Sequence, residues 1–480
     1  MLALRAQTSL TLISLSLLSA CGDPGRESGS DSAASSSASV SVGSIGTLTN
    51  GETASSSGGV VTGGSGTGGA DSGSATTTGQ PTTGDSVSAS AADSGPKFDL
   101  GGTPDIAVGC GDSGGGMLDT SYIWIPATSD GWVAKINTRT MTEEARYLTG
   151  PNGVGEDVSR TAVSGDGRFV VVNGRGSGRS TAVAANVADC KDANGDGMIT
   201  TSTGPGDIKP WGTDECIAWT LVHAAWDGGQ THGPRGISWT AGEWSEAQCA
   251  FINPKVWLGY LAGDGTAHMV RLDGPTGAIE QDLLVPDWDG SGYAPYGGAL
   301  DPLQRPWFTG LRGELARVEV NQNPLTVTRI TQPPEIQSYG MTVDPDGNPW
   351  MGGCPGPVST YDVNADTWIM IPGTGACHRG MAVDHDFHVW VASNGPCGLV
   401  EIDGKTRTLV AQHQLAQCST PIGVSVDVDG YVWLVDQEGW AWKIDPANPA
   451  AMQMMTVPGS HYVYSDMTGG QLKSVSPPPA

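Results

Sequence analysis

The sequence predicts an all-β fold, a seven-bladed β-propeller, and three regularities lead to this prediction. A glycine precedes a tryptophan by ten residues at four places, and these glycines, Gly297, Gly340, Gly380 and Gly423, recur at spacings of 43, 40 and 43 residues. Between glycine and tryptophan, as in residues 340–350, apolar residues alternate around an Asp-Pro-Asp-Gly turn, which is typical of two strands joined by a tight turn. The period is that of a four-stranded propeller blade.

The same pattern extends beyond these four repeats. Blade starts are expected near residues 160, 235, 296, 339, 379 and 422, with a partial start at 465–468. Strands that lack a start, at residues 122–124, 132–136 and 145–148, precede the first of them. We therefore expect the C-terminal strand to pair with N-terminal strands in one blade, because such closure removes the open sheet edges. An open β-sandwich, the alternative, does not explain why one blade is split between the two ends.

The tryptophans of the repeat are predicted to be structural and to pack between adjacent blades. They are Trp307, Trp350, Trp390 and Trp433. In the repeat that begins at Gly236, Trp257 follows after 21 residues instead of ten. The hairpin there is therefore longer by 11 residues, and the added loop carries Cys249.

The N-terminal part of the chain is predicted to export and tether the propeller. Residues 1–20 combine a basic residue, a short apolar run and small residues, the pattern of a secretory signal peptide that is too short to span a membrane. The residues that end in Cys21 resemble the lipobox of bacterial lipoproteins, which implies a lipidated Cys21. In that family an Asp after the cysteine retains the protein at the inner membrane. Gly22 stands there, so we expect an outer-membrane lipoprotein, periplasmic or at the cell surface.

Composition separates a linker from the folded part. Residues 21–104 are rich in Ser, Gly and Thr and cannot bury enough apolar surface to fold, so we expect a disordered tether before a propeller at residues 105–480. The net charge of −26 argues against nucleic acid or anionic lipid as a general partner. The expected protein is a monomer, attached to the envelope membrane only through its lipidated cysteine.

Nine cysteines, less the lipidated one, leave eight, an even number that indicates disulfides in an exported chain. The repeat frame favours pairing within single blades and, once, across an insertion at residues 190–216. The last pair follows by elimination. The expected pairs are Cys354 with Cys377, Cys397 with Cys418, Cys190 with Cys216, and Cys110 with Cys249.

The insertion at residues 190–216 carries a motif that resembles the calcium loop of EF-hands and dockerins. Its expected ligands at loop positions 1, 3, 5 and 7 are Asp192, Asn194, Asp196 and, through the backbone carbonyl, Met198. Position 12 is Thr203, where the family has a bidentate acid, so another carboxylate has to complete the site. The candidates are Asp207, Asp214 and Glu215. We predict a structural calcium ion, and a solvated Asn/Asp/Gly loop is the alternative.

The residue immediately before each blade start is expected to face the central channel, where propellers commonly bind ligands. Around the ring these residues are Arg160, Arg235, Tyr296, Tyr339, Arg379 and Ile422. Three are arginines although the chain has only 24 basic residues. Converging guanidiniums suit the bidentate binding of a carboxylate or phosphate. Alternatively, they pair with local acids such as Asp466 or line a wet channel.

The repeat, of the form x-G-h-x-V-D-x-D-G-x-h-W-h and followed by strands such as residues 398–403 and 440–445, resembles the virginiamycin B lyase (streptogramin lyase) family of seven-bladed propellers over roughly residues 120–475. That resemblance implies a lyase that uses a His, a Glu and a magnesium ion to open a cyclic ester. Here Arg235 and Arg379 stand at the His position, and Gly310 replaces the Glu. His232 and His378 are the remaining candidates for catalytic residues, each off register.

These observations favour a lipid-anchored propeller that binds a ligand or partner, possibly anionic, without catalysis. A streptogramin lyase-like enzyme that opens a cyclic ester by elimination is one alternative, and a purely structural envelope protein is the other. Opening an ester by elimination needs both a base and a proton donor, and neither stands at the family's positions.

Overall fold

The computed structural model describes residues 121–470, and these residues form seven antiparallel blades that follow one another in chain order. Neighbouring strands of each blade are consecutive in sequence, apart from one inserted hairpin. This architecture is the predicted all-β, seven-bladed propeller. In the span described, no helix is long and apolar enough to cross a membrane.

The first three blades hold the two insertions of the fold. Blade 1 consists of β1 (Tyr122–Ala127), β2 (Trp132–Asn137) and β3 (Thr142–Leu148). Blade 2 consists of β4 (Val158–Val163), β5 (Phe169–Gly174), β6 (Arg179–Ala184) and β7 (Ile217–Val222). Blade 3 consists of β8 (Ile237–Trp239), β11 (Lys255–Leu261), β12 (Ala267–Asp273) and β13 (Ile279–Val285), and its inserted hairpin of β9 (Glu243–Ser245) and β10 (Ala250–Ile252).

The last four blades are regular four-stranded meanders. Blade 4 consists of β14 (Gly297–Leu300), β15 (Pro306–Thr309), β16 (Leu315–Glu319) and β17 (Thr326–Ile330). Blade 5 consists of β18 (Ser338–Val343), β19 (Pro349–Gly353), β20 (Ser359–Asp362) and β21 (Thr367–Met370). Blade 6 consists of β22 (His378–Val383), β23 (His388–Asn394), β24 (Cys397–Asp403) and β25 (Thr408–Gln414). Blade 7 consists of β26 (Pro421–Val426), β27 (Val432–Asp436), β28 (Trp440–Ile444) and β29 (Met452–Thr456).

The innermost strand of a blade is the first in sequence. β18 and β26 are buried along their whole length, whereas the fourth strand β25 alternates exposed and half-buried residues. The first strands of successive blades also contact one another. The start of each first strand therefore reaches the central axis, and this places the candidate site.

Blade 1 has three strands of its own, and residues 461–470, here called the closing segment, lie beside them. The backbone N–H of Trp124 donates to the carbonyl of Met467 at 2.9 Å. On its other side the closing segment bonds to the neighbouring blades, since Thr161 Oγ1 donates to the carbonyl of Asp466 and Thr468 Oγ1 to that of Val426. The predicted closure of the ring by the two ends is confirmed.

A buried Asp–Trp pair recurs in blades 4 to 7. In each, the indole N–H donates to a carboxylate six residues earlier in the turn, at 2.7–3.1 Å. The pairs are Asp301 with Trp307, Asp344 with Trp350, Asp384 with Trp390, and Asp427 with Trp433. Each tryptophan is fully buried and packs against side chains of a neighbouring blade, as predicted. The turn acid therefore serves the core as well as the turn.

Three of the predicted disulfides are present among residues 121–470. They join Cys190 to Cys216, Cys354 to Cys377, and Cys397 to Cys418. Cys249, on the loop between β9 and β10, is also disulfide-bonded. Its predicted partner Cys110 lies outside the described residues, as do the predicted signal peptide, Cys21 and the linker.

Candidate functional site

The arginines and tyrosines predicted to face the channel begin the inner strands. The site is built from side chains of six blades and the closing segment, and all but one are buried. Arg160 and Arg235 have no exposed surface, Tyr296 is 1% exposed, and Tyr339 is 8% exposed. Arg379 is half-buried, and Ile422 is fully buried in the same cluster.

Arg160 reaches this position from a different register than predicted. It lies three residues before Val163, which pairs across the turn with Val170, and Gly340 lies three residues before the equivalent Val343. Arg160 therefore stands at the blade-start glycine position and not before it. A β-bulge between Val158 and Arg160 accompanies this shift.

Four tyrosines, here called the tyrosine cluster, fill the centre of the site. They are Tyr296, Tyr339, Tyr462 and Tyr464. The Tyr462 hydroxyl is their hub, since it lies 2.5 Å from the Tyr296 hydroxyl, accepts from Tyr464 at 3.2 Å and also bonds to Tyr339. The rings meet with centroids 5.2–5.7 Å apart. Tyr296 and Tyr339, which were predicted to face the channel, thus bond into a packed cluster that fills it.

Two guanidiniums lie against this cluster. The Arg160 Cζ atom is 3.3 Å from the centroid of Tyr464 and 5.1 Å from that of Tyr296. The Arg235 Cζ atom is 5.0 Å from the centroid of Tyr296. Two of the three predicted arginines therefore converge on one tyrosine ring. Such cation–π contacts are worth about 2 kcal/mol or more when desolvated.

Neither of these guanidiniums has an acidic partner among residues 121–470. Arg160 donates one hydrogen bond, to the carbonyl of Tyr462 at 3.3 Å, and Arg235 donates one, to the carbonyl of Gln230 at 3.4 Å. Nε and Nη2 of Arg160, and Nε and Nη1 of Arg235, have no hydrogen-bond partner. The predicted alternative, pairing with Asp466, is not found, because that carboxylate accepts from the backbone N–H groups of Thr468 and Gly469.

Arg175, which the sequence analysis missed, shows how a buried arginine is usually satisfied. Its Cζ atom lies 4.5 Å from the Tyr462 centroid, and its Nε and Nη2 atoms donate to the two oxygens of Asp157 at 3.0 Å each. Tyr462 and Tyr464 were also missed. The signal for Tyr464 was present, because it directly precedes the partial blade start at residue 465.

Burial and the arginines act in opposite directions on the tyrosines. Burial raises the pKa of Tyr296, but Arg235 and Arg160 lower it more, so its pKa is held below the usual range. Burial, reinforced by the neighbouring tyrosines, raises the pKa of Tyr339 well above its usual range, and burial likewise raises that of Tyr464. Tyr296 therefore ionises more readily than Tyr339 and Tyr464.

Arg379 stands apart from this centre. Its Cζ atom lies 5.7 Å from the Tyr339 centroid, and its Nη1 donates to Asn394 Oδ1. Two cavities among residues 121–470 also lie elsewhere. One, of about 390 Å³, is a groove between the outer strands β13 and β17, and the other, of about 10 Å³, lies beside Trp124.

The lyase candidates are not assembled as the family resemblance requires. His232 Nδ1 bonds to Asp227 at 2.9 Å. His378 is buried, its Nδ1 bonds to the carbonyl of Gly356 at 3.2 Å, and burial lowers its pKa. At Gly310, where the family has its Glu, an added Cβ atom would lie 2.4 Å from the carbonyl oxygen of Asp289. The backbone would have to move before any side chain fitted there.

The predicted calcium loop forms turns typical of such loops. Its first, third and fifth positions, Asp192, Asn194 and Asp196, accept hydrogen bonds from backbone N–H groups of the same loop. Glu215 accepts from three further backbone N–H groups of the insertion, those of residues 193, 194 and 200. The residue types fit calcium, which takes six to eight oxygens.

The expected completing carboxylates have other partners. Asp207 bonds to Thr203 and Lys209, and Asp214 bonds to Thr201 and Ser202. Within residues 121–470, one set of three possible metal ligands has its atoms within 4.8 Å of one another, formed by Cys397, Cys418 and Asp436. Its two cysteines are joined in a disulfide, so it is not a metal site. The calcium ion stays a prediction.

Comparison with known proteins finds distant structural similarities only. No family model and no curated protein matches the chain. Among solved structures, virginiamycin B lyase from Staphylococcus aureus is 14% identical with a TM-score of 0.45, covering 65% of this chain and 87% of that one. AztD from Citrobacter koseri is 12% identical with a TM-score of 0.45, covering 72% and 97%. A functionally unknown protein from Desulfotomaculum acetoxidans is 9% identical with a TM-score of 0.49, covering 72% and 98%. The fold assignment stands on the blade topology itself.

Proposed function

We propose that the propeller binds the anionic group of a ligand at its central axis, beside Arg160 and Arg235, and does not catalyse a reaction of that ligand. The observation that carries this proposal is the pair of fully buried guanidiniums, Arg160 and Arg235, with four nitrogens that have no hydrogen-bond partner and no carboxylate to neutralise them. Carboxylate, phosphate and halide are the chemical classes that such a pair would bind.

The physical argument is that these charges need compensation. An arginine keeps its proton under all ordinary conditions, and an unpaired buried charge costs several kcal/mol. Contacts with the faces of Tyr296 and Tyr464 offset part of that cost. The buried N–H donors remain unsatisfied, and an anion placed between the two arginines would satisfy donors and charge together.

The net charge of the chain favours a selective anion site over a general attraction of anions to the protein. With a net charge of −26, the protein repels anions at long range. Binding would therefore depend on the two buried arginines and would favour a small ligand group that sheds its water. The proposal extends to export and to lipidation at Cys21, which would hold this binding site on a tether at the outer membrane, facing the periplasm or the cell surface.

The experiment measures binding of sodium acetate, sodium phosphate and sodium chloride to the propeller by calorimetry and by thermal shift. We expect at least one of these salts to bind to the wild type and Arg160→Met and Arg235→Met to lose it. Arg168→Met, which removes an exposed arginine paired with Asp189, is the control for loss of one positive charge and should bind as the wild type does. Unchanged binding in both buried-arginine variants would contradict the proposal.

A second measurement addresses turnover. Incubating the protein with a cyclic ester antibiotic and magnesium should leave the ester intact, because Gly310 and the two arginines occupy the positions at which the lyase family has its Glu and His. Opening of the ring at a turnover rate would replace the binding hypothesis with the enzymatic one.

A further inference from the structure

The ring of Tyr296 contacts both of the unpaired guanidiniums. Its ring lies 5.1 Å from the Cζ of Arg160 and 5.0 Å from the Cζ of Arg235, and no carboxylate of residues 121–470 pairs with either arginine. The Tyr296 hydroxyl also bonds to the hydroxyl of Tyr462, which can donate to it. This geometry fits a phenolate at Tyr296 with Tyr462 as its donor.

The charged and titratable groups around Tyr296 come from every element packed on it. Strand β4 supplies Arg160, the loop before β8 supplies Arg235, and the loop before β14 supplies Tyr293, 5.6 Å away. Strand β18 supplies Tyr339, and the closing segment supplies Tyr462 and Tyr464. Burial keeps the pKa of Tyr339 and that of Tyr464 well above the usual tyrosine range, so neither competes with Tyr296 for ionisation.

We propose that Tyr296 is a phenolate when the site holds no ligand, and that the ligand's anionic group binds together with one proton, which returns Tyr296 to a phenol. The coupling of anion binding to a proton rests on the proposed function, whereas the phenolate at Tyr296 in the ligand-free site does not depend on it. On binding, the site gains the anion and one proton, so its net charge does not change. The negative charge of the Tyr296 phenolate is replaced by that of the ligand. The oxygen of Tyr296 takes the proton.

The proposal makes binding depend on pH with a defined sign. Below the lowered pKa of Tyr296 the tyrosine is already a phenol, so affinity is independent of pH. Above it, each bound anion must bring a proton, and affinity should fall about tenfold per pH unit. A ligand acquired in an acidic medium would therefore be released as the pH rises.

The experiment begins with the full-length wild type in a dilute buffer of bulky zwitterions, without added salt. The long-wavelength ultraviolet band of tyrosinate is followed while the pH is raised from neutral. We expect one tyrosinate per chain well below the usual tyrosine range, absent in Tyr296→Phe and retained in Tyr293→Phe. A spectrum without tyrosinate until the usual range would overturn the inference, whether or not the protein binds anions.

The second step adds sodium acetate to the wild type at pH values on both sides of that transition. Loss of the tyrosinate band on binding, with uptake of one proton, supports the coupling. Binding with an unchanged band and no proton uptake overturns it. A tyrosinate band without binding of any of the three salts overturns the proposed function and the coupling, and shows instead that Tyr296 alone neutralises the arginines.

Discussion

The Asp–Trp pairs of blades 4 to 7 and the arginine–tyrosine centre on the axis both bury charged groups, and they treat them in opposite ways. At Asp384, the carboxylate accepts from the indole of Trp390 at 2.7 Å and from two backbone N–H groups of its own turn. At Arg235, two nitrogens have no partner. In the repeated element the buried carboxylate finds its hydrogen-bond partners within its own hairpin. At the axis, buried hydrogen-bond donors have no partner within the protein. We take the first as the region that holds the fold and the second as the region that serves a ligand.

The largest effect should come from the repeat. Trp390 is fully buried, so Trp390→Ala should lower the free energy of unfolding by about 3–5 kcal/mol, measured by urea denaturation. Trp368, half-buried on the outer strand β21, gives the matched control, and Trp368→Ala should cost clearly less. Equal losses of unfolding free energy in the two variants would show that the buried tryptophan of the repeat stabilises the fold no more than a tryptophan of an outer strand does.

At the axis the sign should reverse. Arg235→Met, compared with the wild type at a pH at which Tyr296 is a phenol, removes a buried charge without an acidic partner and keeps an apolar stem of similar length. Because such an unpaired charge itself costs several kcal/mol, the variant should be at least as stable as the wild type. The measurement is urea denaturation without added binding anions. If Arg235→Met destabilises the protein as much as Trp390→Ala does, the arginine at the axis stabilises the fold as the Asp–Trp pairs do. The contrast between the two regions would then be wrong.

Substitution of Asp466 tests how a buried acid outside the four Asp–Trp pairs affects the stability of the fold. It has no indole partner, and burial raises its pKa from the usual 3.8 to about 6. Because the folded state binds the proton more tightly than the unfolded state, this group contributes stability fully below about pH 4, and that contribution is lost as the pH rises through about 6. The difference corresponds to about 2–3 kcal/mol.

Asp466→Asn should therefore remove that fall, and the wild type should lose stability relative to the variant between about pH 4 and pH 6. Denaturation midpoints across this range give the measurement. Parallel curves for the two proteins would show that Asp466 is ionised in the folded state at the same pH as in the unfolded one.

The turn acids should contribute less than the tryptophans they hold. Asp384→Ala leaves the indole and backbone donors without an acceptor, at a cost of about 1–3 kcal/mol. Asp386, exposed two residues later in the same turn, is the control, and Asp386→Ala should be nearly neutral. A neutral Asp384→Ala would show that the tryptophan packs equally well without its acceptor.

The smallest effect is expected at the calcium loop, whose carboxylates already accept from their own backbone, as the turn acids do. Millimolar calcium should stabilise the wild type by about 1–2 kcal/mol, and a chelator should abolish this gain. Asp196→Ala should remove the difference between the two conditions, and Asp264→Ala, in an unrelated turn, should preserve it. Identical melting curves with and without calcium in the wild type would end the calcium prediction.

The sequence by itself determined the parts of this protein that are repeated or local. The spacing of glycine and tryptophan was enough for the seven blades, because each repeat contains its own hairpin, turn and core residue. The split blade followed from one start that lacked its strands, and the disulfides at Cys354 and Cys397 followed from the blade frame.

Only the tertiary structure decided what the axis contains. Tyr462 reaches Tyr296 from 166 residues away in sequence, so no local pattern could place their hydroxyls together. Whether a buried arginine has a partner depends on every chain segment that packs around it, and that is why Arg175 is satisfied by Asp157 while Arg160 and Arg235 are not.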